Sequence, residues 1–249
     1  MKISATIITF NEERNIERCI LSLLEVADEI LVLDSFSTDK TEEICKKHGV
    51  KFIQRAWEGY SATKNHANQL AEHNWILSID ADEALSDELK KSILNQKNKL
   101  SELEAYQFNR LTNYCGKWIK HSGWYPDKKT RLFNRAHISW AGGIHETLII
   151  PPRVKIKKLE GDLLHYSYYT VEEHIRQTEK FTSLSAQALY EKNKKPTMLK
   201  LYLSPIITFL KNYLFRLGFL DGYYGFLICK ISAQATHLKY LKLQKMHQQ

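Results

Sequence analysis

The sequence predicts an α/β fold in which a mostly parallel sheet is followed by a C-terminal helical extension. Three observations lead to this prediction. Short β-rich runs alternate with amphipathic helical patterns through about the first hundred residues, which is the order of strands joined by crossover helices. Two of the β-rich runs, around residues 29–34 and 75–80, end in a carboxylate. The last fifty or so residues instead alternate apolar stretches with single cations.

The order of the predicted elements supports this fold. The first four strand patterns cover residues 2–9, 29–34, 50–53 and 75–79. Helical patterns follow them at residues 11–24, 41–48, 61–72 and 86–100. Later strand patterns cover residues 104–111, 129–133 and 154–166. Thr170 and Glu173 then form a capping box that predicts a long helix to about residue 190.

We therefore predict a sheet domain over residues 1–168 and a basic helical region over residues 169–249. Within the sheet domain, residues 1–103 carry the strand ends at which α/β sheets bind ligands. Residues 104–168 lose the regular alternation, and we expect them to form the wall of a second binding site.

Composition indicates a globular protein with a substantial core. The chain has 249 residues, of which 43% are hydrophobic and 26% charged. Its four cysteines are scattered and form no CxxC pair, which favours reduced thiols in a cytoplasmic protein. Neither a signal-peptide pattern nor an uncharged run of about 18 residues is present in the sequence, so we expect no spanning helix.

The net charge of +8 is concentrated in the tail. Residues 192–245 contain ten Lys or Arg residues and a single acid, Asp221. We expect this region to dock on the anionic cytoplasmic face of a membrane, which would make the protein peripheral on the inner membrane. The alternative is a helical pair that packs on the sheet domain or on a second subunit. We expect no nucleic-acid partner, because the cations lie among aliphatic residues and no binding motif is present.

A pair of aspartates follows the fourth strand pattern. Asp80 and Asp82 are two residues apart, so they point the same way if the extended chain continues past Ile79. Two neighbouring carboxylates at a strand end suit a hard divalent cation. The alternative is that one of them caps the helix beginning near Ser86. The sequence contains neither GxGxxG nor a P-loop, which disfavours the commonest phosphate cradles.

Several spaced motifs give the chain a recognisable resemblance. Those in the first half are TIITFNEE (6–13), LVLDSFSTDKT (31–41), TKNHA (63–67) and WILSIDADE (75–83). In this order they resemble the amino-terminal half of family-2 glycosyltransferases with the GT-A fold. The later motifs are TRLFNR (130–135), GGIHE (142–146), LLHYSYYTVEEHIRQTEKFTSLSA (163–186) and GFLDGYYGF (218–226). These are similar to the bacterial lipopolysaccharide-core glucosyltransferase branch of that family.

The resemblance implies an inverting hexosyltransferase. It would move glucose from UDP-glucose to a lipid-linked saccharide such as lipopolysaccharide inner core. Residues 1–103 would then bind the nucleotide sugar, and residues 104–168 would bind the acceptor.

The resemblance also implies a nucleotide pocket at the first strand ends. The residues that it assigns to the pocket wall are Thr9, Asn11 and Glu12. Asp34 would accept the N–H of a uracil-like base, and Lys64 and Asn65 match the positions near the nucleotide and diphosphate. Two alternatives stay open, since Asn11 also suits a helix N-cap and Lys64 also suits a helix surface.

The metal and the catalytic base come from the same resemblance. Asp80 and Asp82 match its DxD motif, in which the second carboxylate meets Mg²⁺ or Mn²⁺ directly. Glu146 occupies the position of the catalytic acid residue and would act as the base that takes the acceptor proton. His145 precedes it where the family commonly has an acid, so His145 shares the candidacy, and Asp127 is the reserve base.

Two further residues complete the predicted site. Arg131 could meet a phosphate or an acidic acceptor, with a surface salt bridge as the alternative. His165 could be a third metal or diphosphate ligand, with a structural histidine as the alternative.

Two rival functions fit parts of the pattern. A sugar nucleotidyltransferase also combines an α/β sheet with a metal, but it would have a glycine-rich basic loop after the first strand. A non-catalytic nucleotide-sugar-binding membrane scaffold could keep the fold without turnover.

Overall fold

A mixed sheet forms the framework of the chain in the computed structural model, which describes residues 1–143 and 146–248. The strands are β1 (Ile3–Thr9), β2 (Glu29–Asp34), β3 (Lys51–Gln54), β4 (Trp75–Asp80), β5 (Glu83–Leu85), β6 (Glu104–Tyr114), β7 (Lys117–Ile119), β8 (Asp127–Asn134), β9 (Ser139–Ala141), β10 (Thr147–Ile149) and β11 (Lys155–Tyr168). The α-helices are α1 (Ile16–Leu23), α2 (Thr41–Lys47), α3 (Tyr60–Leu70), α4 (Asp87–Lys97), α5 (Val171–Glu191), α6 (Ser204–Leu210) and α7 (Gly222–Met246).

The first four strands form the parallel half of the sheet, in the order β3-β2-β1-β4. The parallel pairing ends at β4, because β8 pairs with β4 in the antiparallel sense and β6 pairs with β8 in the same way. Antiparallel neighbours need no crossover helix. The regular alternation of strand and helix in the sequence therefore stops where the antiparallel half begins. Strands β9 and β10 form a separate two-stranded sheet.

The core explains why the central strands read as continuous apolar runs. Strands β1 and β4 are neighbours in the interior of the whole sheet and are buried along almost their whole length. Helix α1 turns Ile16, Ile20 and Leu23 toward the same core. A strand that is covered on both faces has no polar alternation, so its apolar run ends only where the chain leaves the core at Asp80.

The helix after the fourth strand begins at Ser86. The Ser86 hydroxyl accepts hydrogen bonds from the backbone N–H groups of Leu89 at 3.2 Å and Asp162 at 3.0 Å. Strand β5 lies between Asp80 and this cap. Neither Asp80 nor Asp82 is therefore the N-cap of α4, and that alternative explanation of the two aspartates is wrong.

The described residues form two compact units. The sheet unit comprises residues 1–110 and 127–166, and the helical unit comprises residues 111–126 and 167–248. Residues 111–126, which we assigned to the sheet domain, thus belong with the C-terminal helices. The predicted domain boundary between residues 168 and 169 stays a prediction.

The helical unit is built around α5 and α7. Helix α5 starts with the predicted capping box, in which the Thr170 hydroxyl accepts from the Glu173 N–H and the Glu173 carboxylate accepts from the Thr170 N–H. A 3₁₀ turn, Gly218–Asp221, leads directly into α7. A side chain at Gly225 would place its Cβ 2.0 Å from the Gly218 carbonyl oxygen, so this close approach requires glycine.

Among the described residues, no helix combines the length and the apolar character that crossing a bilayer requires.

Candidate active site

The carboxyl ends of three neighbouring strands meet at one edge of the sheet. In the register of β1 and β2, Thr9 lies beside Asp34, and in that of β1 and β4, Ile8 lies beside Asp80. The sequence predicted this row of strand ends from the order of its elements. Ligands of open α/β sheets usually bind at such an edge.

Asp80 is held between two buried cations. The Lys64 ammonium lies 2.8 Å from Asp80 Oδ1, and the Arg131 guanidinium lies 2.5 Å from Oδ2. Burial alone would raise the pKa of Asp80, but the charges of Arg131 and Lys64 hold that pKa well below its ordinary value. Lys64 is 2% exposed and Arg131 3% exposed. The surface alternatives for these two residues are therefore wrong.

The Lys64 ammonium also contacts Glu146. Its Nζ lies 3.0 Å from Glu146 Oε1, and the Trp140 ring centroid lies 4.7 Å from the same nitrogen. One nitrogen thus joins the strand-end carboxylate Asp80 to the residue that the sequence selects as the base. His145, the neighbouring candidate, lies outside the described residues.

Asn65 positions the segment that carries Trp140. The Asn65 amide nitrogen donates to the Trp140 carbonyl at 2.8 Å, and the Asn65 oxygen accepts from the Trp140 N–H at 2.8 Å. This pair of bonds attaches α3 to the backbone of β9. In the structure Asn65 therefore acts on the protein backbone, one residue along the helix from Lys64.

Asp82 has different surroundings from Asp80. Its Oδ2 lies 3.1 Å from His165 Nε2, and its side chain is 29% exposed. Within residues 1–143 and 146–248, no lysine or arginine forms an ion pair with Asp82. The two side chains are similarly exposed, at 27% for Asp80 and 29% for Asp82, and they differ in that both oxygens of Asp80 face cations.

The loop after β1 is fixed by side-chain hydrogen bonds. Asn11 has a positive φ of 55°, its N–H donates to the Ser37 hydroxyl, and its side-chain oxygen accepts from the Thr38 N–H at 2.8 Å. Helix α1 begins later, with Asn15 as its first flanking residue. Asn11 is therefore not the N-cap, and it connects the loops after β1 and β2 instead. The buried hydroxyl of Thr9 finds no hydrogen-bond partner among the residues that the structure describes.

Glu12 is a carboxyl group with an unusual affinity for protons. Burial and the nearby charges of Asp82, Asp39 and Asp80 raise its pKa to about 7, although a hydrogen bond from Asn15 opposes the shift. Glu12 thus lies close enough to the DxD pair to sense its charge. Such a shift is common at functional sites.

Asp34 is fully buried and already engaged within the protein. Its oxygens accept from the Ser37 N–H at 2.8 Å, from the Ser37 hydroxyl at 2.5 Å and from the Gln54 amide at 3.3 Å. These bonds shape the turn after β2. The predicted contact of Asp34 with a base stays a prediction.

Comparison with known proteins identifies the family. A family model described as glycosyl transferase family 2 matches residues 4–149. The chain belongs to this family. An uncharacterized glycosyltransferase from Rickettsia bellii is 34% identical over 98% of this chain and 87% of its own length. The lipopolysaccharide core biosynthesis glycosyltransferase LpsC of Rhizobium meliloti is 28% identical over 99% of this chain and 93% of its own.

Solved structures of glycosyltransferases also resemble this one. TarS of S. aureus, residues 1–349 in complex with UDP-GlcNAc, has a TM-score of 0.47 and 16% identity, with coverage of 100% of this chain and 92% of that chain. Glucosyl-3-phosphoglycerate synthase of Mycobacterium tuberculosis, in complex with Mn²⁺ and UDP-Glc, has a TM-score of 0.38 and 21% identity. The structural match spans 45% of this chain and 44% of the synthase chain.

Family membership confirms two predictions made from the motifs. The resemblance to family-2 glycosyltransferases is confirmed, and so is the predicted α/β fold of the GT-A type with a C-terminal helical extension. The nucleotidyltransferase alternative has no support from the family match.

The residues of this glycosyltransferase fit a divalent cation that takes most of its ligands from a substrate. In the part of the chain that the structure describes, no three His, Cys, Asp or Glu side chains are grouped for metal binding. Asp82 and His165 nevertheless bring one carboxylate and one imidazole side by side. Mg²⁺ is usually bound by one or two carboxylates plus substrate phosphates and water. The pair suits that kind of site, with Mg²⁺ or Mn²⁺ bound to a diphosphate.

Glu83 is the site residue to which the sequence analysis gave no role. Its carboxylate lies 3.1 Å from the Arg131 guanidinium and 3.3 Å from that of Arg110, and it accepts the Asp80 N–H at 3.0 Å. Arg110 in turn pairs with Asp127 at 2.8 Å. The sequence signal was an acid directly before the apolar pair Ala84 and Leu85, since a buried charge at that place needs a partner. Asp127, the reserve base, is therefore the outer member of this network.

We expect Glu83→Gln to destabilise the fold strongly. The change leaves two guanidinium groups without the buried carboxylate between them, which costs about 3–5 kcal/mol when one partner of a buried ion pair is removed. Urea unfolding measures this loss. Glu25→Gln, at an exposed position, is the matched control and should change stability by less than about 0.5 kcal/mol. Equal effects of the two substitutions would contradict the network.

The raised pKa of Glu12 predicts a second effect on stability, and this effect depends on pH. The folded state keeps a proton on Glu12 up to a pKa of about 7, whereas the ordinary pKa is 4.5, so the Glu12 contribution to stability falls as the pH rises between these values. Glu12→Gln cannot ionise and keeps an oxygen for Asn15. Its stability relative to the wild type should therefore increase by about 1–2 kcal/mol from pH 5 to pH 8.

Urea unfolding of both proteins at the two pH values tests this effect of Glu12. The subtraction removes the titration of all other groups. A stability difference that stays constant with pH would show that Glu12 ionises normally. Glu25→Gln serves as the control, with a difference that should stay constant.

Proposed function

We propose that this glycosyltransferase transfers glucose from UDP-glucose to a lipid-linked saccharide such as lipopolysaccharide inner core, with inversion at the transferred carbon. LpsC, which aligns over nearly the whole chain, is by name a lipopolysaccharide core biosynthesis glycosyltransferase. This similarity supports a saccharide acceptor of that kind. The strand-end row of Thr9, Asp34 and Asp80 supports a nucleotide donor across the sheet edge.

The observation that carries the proposal is the double ion pair of Lys64. Its ammonium contacts Asp80 and Glu146 at 2.8 and 3.0 Å, so the proposed base lies next to the DxD motif. An acceptor hydroxyl at Glu146 would then be close to a donor sugar whose diphosphate lies at Asp82. Bringing the two reactants together is a large part of glycosyl transfer catalysis.

Each residue has a distinct part in this proposal. Glu146 takes the proton of the acceptor hydroxyl as that oxygen attacks the sugar, in a single displacement that needs no covalent enzyme intermediate. Lys64 keeps Glu146 oriented, and Asp80 keeps Lys64 in place. Asp82, with His165, would hold Mg²⁺ or Mn²⁺, which when bound stabilises negative charge on a leaving diphosphate.

Glu146→Gln tests the proposed base. We expect the rate of UDP release with lipopolysaccharide inner core as acceptor to fall roughly 100- to 10,000-fold, while affinity for UDP stays within about twofold. Asp127→Asn is the matched comparison, because Asp127 is the reserve base and lies in the outer part of the network. If Asp127→Asn abolishes transfer and Glu146→Gln does not, the assignment of Glu146 is wrong.

The proposed donor site is tested by measuring the affinity for UDP. Asp82→Asn should lower UDP affinity in the presence of Mn²⁺ and leave it unchanged in EDTA, since Asp82 is proposed to act on UDP through the metal. Asp87→Asn is the control, because the side chain of Asp87 is 88% exposed at the start of α4. UDP binding without any turnover of UDP-glucose by the wild type would favour the scaffold alternative.

We also propose that the helical unit docks on the anionic cytoplasmic face of the inner membrane. Among the described residues, fourteen large apolar side chains between 198 and 226 are at least 40% exposed. Phe215, at 83%, is the most exposed of them. Such a concentration of exposed apolar area is typical of an interaction surface.

The charge of the same segment supports a lipid partner. Residues 192–245 carry ten cations, and their single acid, Asp221, is 3% exposed. The Asp221 carboxylate accepts the N–H groups of Lys120 and His121 and pairs with the His121 ring. The segment therefore presents cations and apolar side chains to its surroundings, and its one carboxylate stays inside. Each cation near an anionic surface contributes on the order of 1 kcal/mol.

Replacement of Phe215 and Leu199 by serine should weaken membrane binding at least tenfold. Burial of each side chain contributes about 1.5–3 kcal/mol, and a tenfold change is about 1.4 kcal/mol. Cosedimentation with phosphatidylglycerol vesicles measures this binding. The control replaces Leu21 and Leu24, which are exposed to about half their area on or beside α1. If both double variants bind as the wild type does, the membrane proposal fails.

A further inference from the structure

A cavity of about 420 Å³ lies beside the proposed base. Asp80, Arg131, Trp140 and Glu146 line it on the side of the active site, and Lys128 and Lys129 line it farther along β8. This volume is in the range of sites that hold a small ligand. The described residues that line the cavity include neither Asp82 nor any residue assigned to the nucleotide pocket wall. The cavity is therefore on the acceptor side of the site.

Two side chains that line this cavity each carry a buried nitrogen with no hydrogen-bond partner among the described residues. These nitrogens are Arg131 Nε and Trp140 Nε1, in side chains of residues that are 3% and 8% exposed. The Arg131 guanidinium carbon lies 5.7 Å from the Trp140 ring centroid, so the two groups are neighbours. Both atoms can only donate a hydrogen bond. Because buried polar groups are nearly always satisfied, these two nitrogens call for an acceptor that the described residues do not supply.

The backbone explains why Arg131 reaches this cavity. In the pairing of β8 with β6, Leu132 lies opposite Tyr106 and Thr130 lies opposite Gln107. Arg131 is the extra residue of a bulge between them. A bulge changes the direction of a side chain and is common beside active sites. It places the Arg131 guanidinium at Asp80 and Glu83, while the Nε atom has no partner in the described part of the chain.

The charges at the cavity select an anion. Among the described residues that line it, four are cations and two are carboxylates. Asp80 and Glu146 are both already paired with Lys64, and Lys129 is paired with Asp127. Lys128 is exposed and has no ion-pair partner within residues 1–143 and 146–248. Within the described residues, the cavity groups that lack a partner are thus two N–H donors and one ammonium.

We infer that this cavity binds an anionic substituent, a phosphate or a carboxylate, on the acceptor saccharide. Trp140 Nε1 and Arg131 Nε donate to its oxygens, and Lys128 adds charge at the cavity mouth. The inference rests on the proposed glycosyl transfer, since it names the chemistry of the acceptor. It makes these three residues determinants of acceptor choice.

Indole NMR signals of the full-length protein test the inference without any turnover. The chain has five tryptophans, and Trp140→Phe identifies the indole N–H signal of Trp140. We expect mannose 6-phosphate or glucuronate to shift this signal on titration, with mannose as the uncharged comparison that leaves it in place. A phosphate-selective site responds to the first anion only, and a carboxylate-selective site to the second only.

Lys128→Gln tests the charge at the cavity mouth. It should weaken the affinity for the effective anion about three- to tenfold. Lys158→Gln, at another exposed position of the sheet unit, should leave that affinity unchanged. If Trp140→Phe does not fold, the titration of the responding signal is still compared between the wild type and the Lys128 variant.

Three results would overturn the inference. In the first, the Trp140 signal does not shift with either anion, and in the second it shifts equally with mannose. In the third, it shifts only with UDP, so that the bound anion would be the diphosphate of the donor. Failure of the proposed function is distinguishable. A protein without UDP-glucose turnover whose Trp140 signal still responds to a sugar anion keeps the anion site and loses the proposed transfer.

Discussion

The buried ammonium of Lys64 is the group on which the candidate site depends. It is almost inaccessible to water, and both Asp80 and Glu146 form ion pairs with it. Removal of a charge from water costs several kcal/mol unless it is paired and hydrogen-bonded. Arg131 and Arg110 extend the pattern, with Glu83 between them, so that cations and carboxylates alternate across the site. Each charge is tolerated only because its neighbours are present.

Much of the fold could be predicted because its signals are local. The apolar runs of β1 and β4, the carboxylates that end β2 and β4, and the capping box at Thr170 are each visible within a few residues. Glu146 came from a resemblance to a family rather than from any local pattern. The structure places it on the same nitrogen as Asp80, which no spacing in the sequence indicates.

The roles of Glu83 and Asn65 could not be predicted for a physical reason. Glu83 contacts Arg131, and Asn65 contacts the backbone of Trp140, 75 positions later in the chain. Such partners are far apart in the sequence, and only the folded sheet unit brings them into contact. The sequence likewise indicated the basic tail, but only the structure shows that Asp221, the single acid of residues 192–245, is buried against His121.

The extra residue at Arg131 has a consequence for comparing relatives. A bulge places one residue more on its strand than on the partner strand, while the pairs on either side stay matched. A relative without the extra residue would lack an arginine beside Asp80, even if every amino acid around it were the same. Substrate choice in this group would then diverge through a one-residue deletion, with no substitution at all. An alignment that treats gaps in β8 as noise would overlook the change.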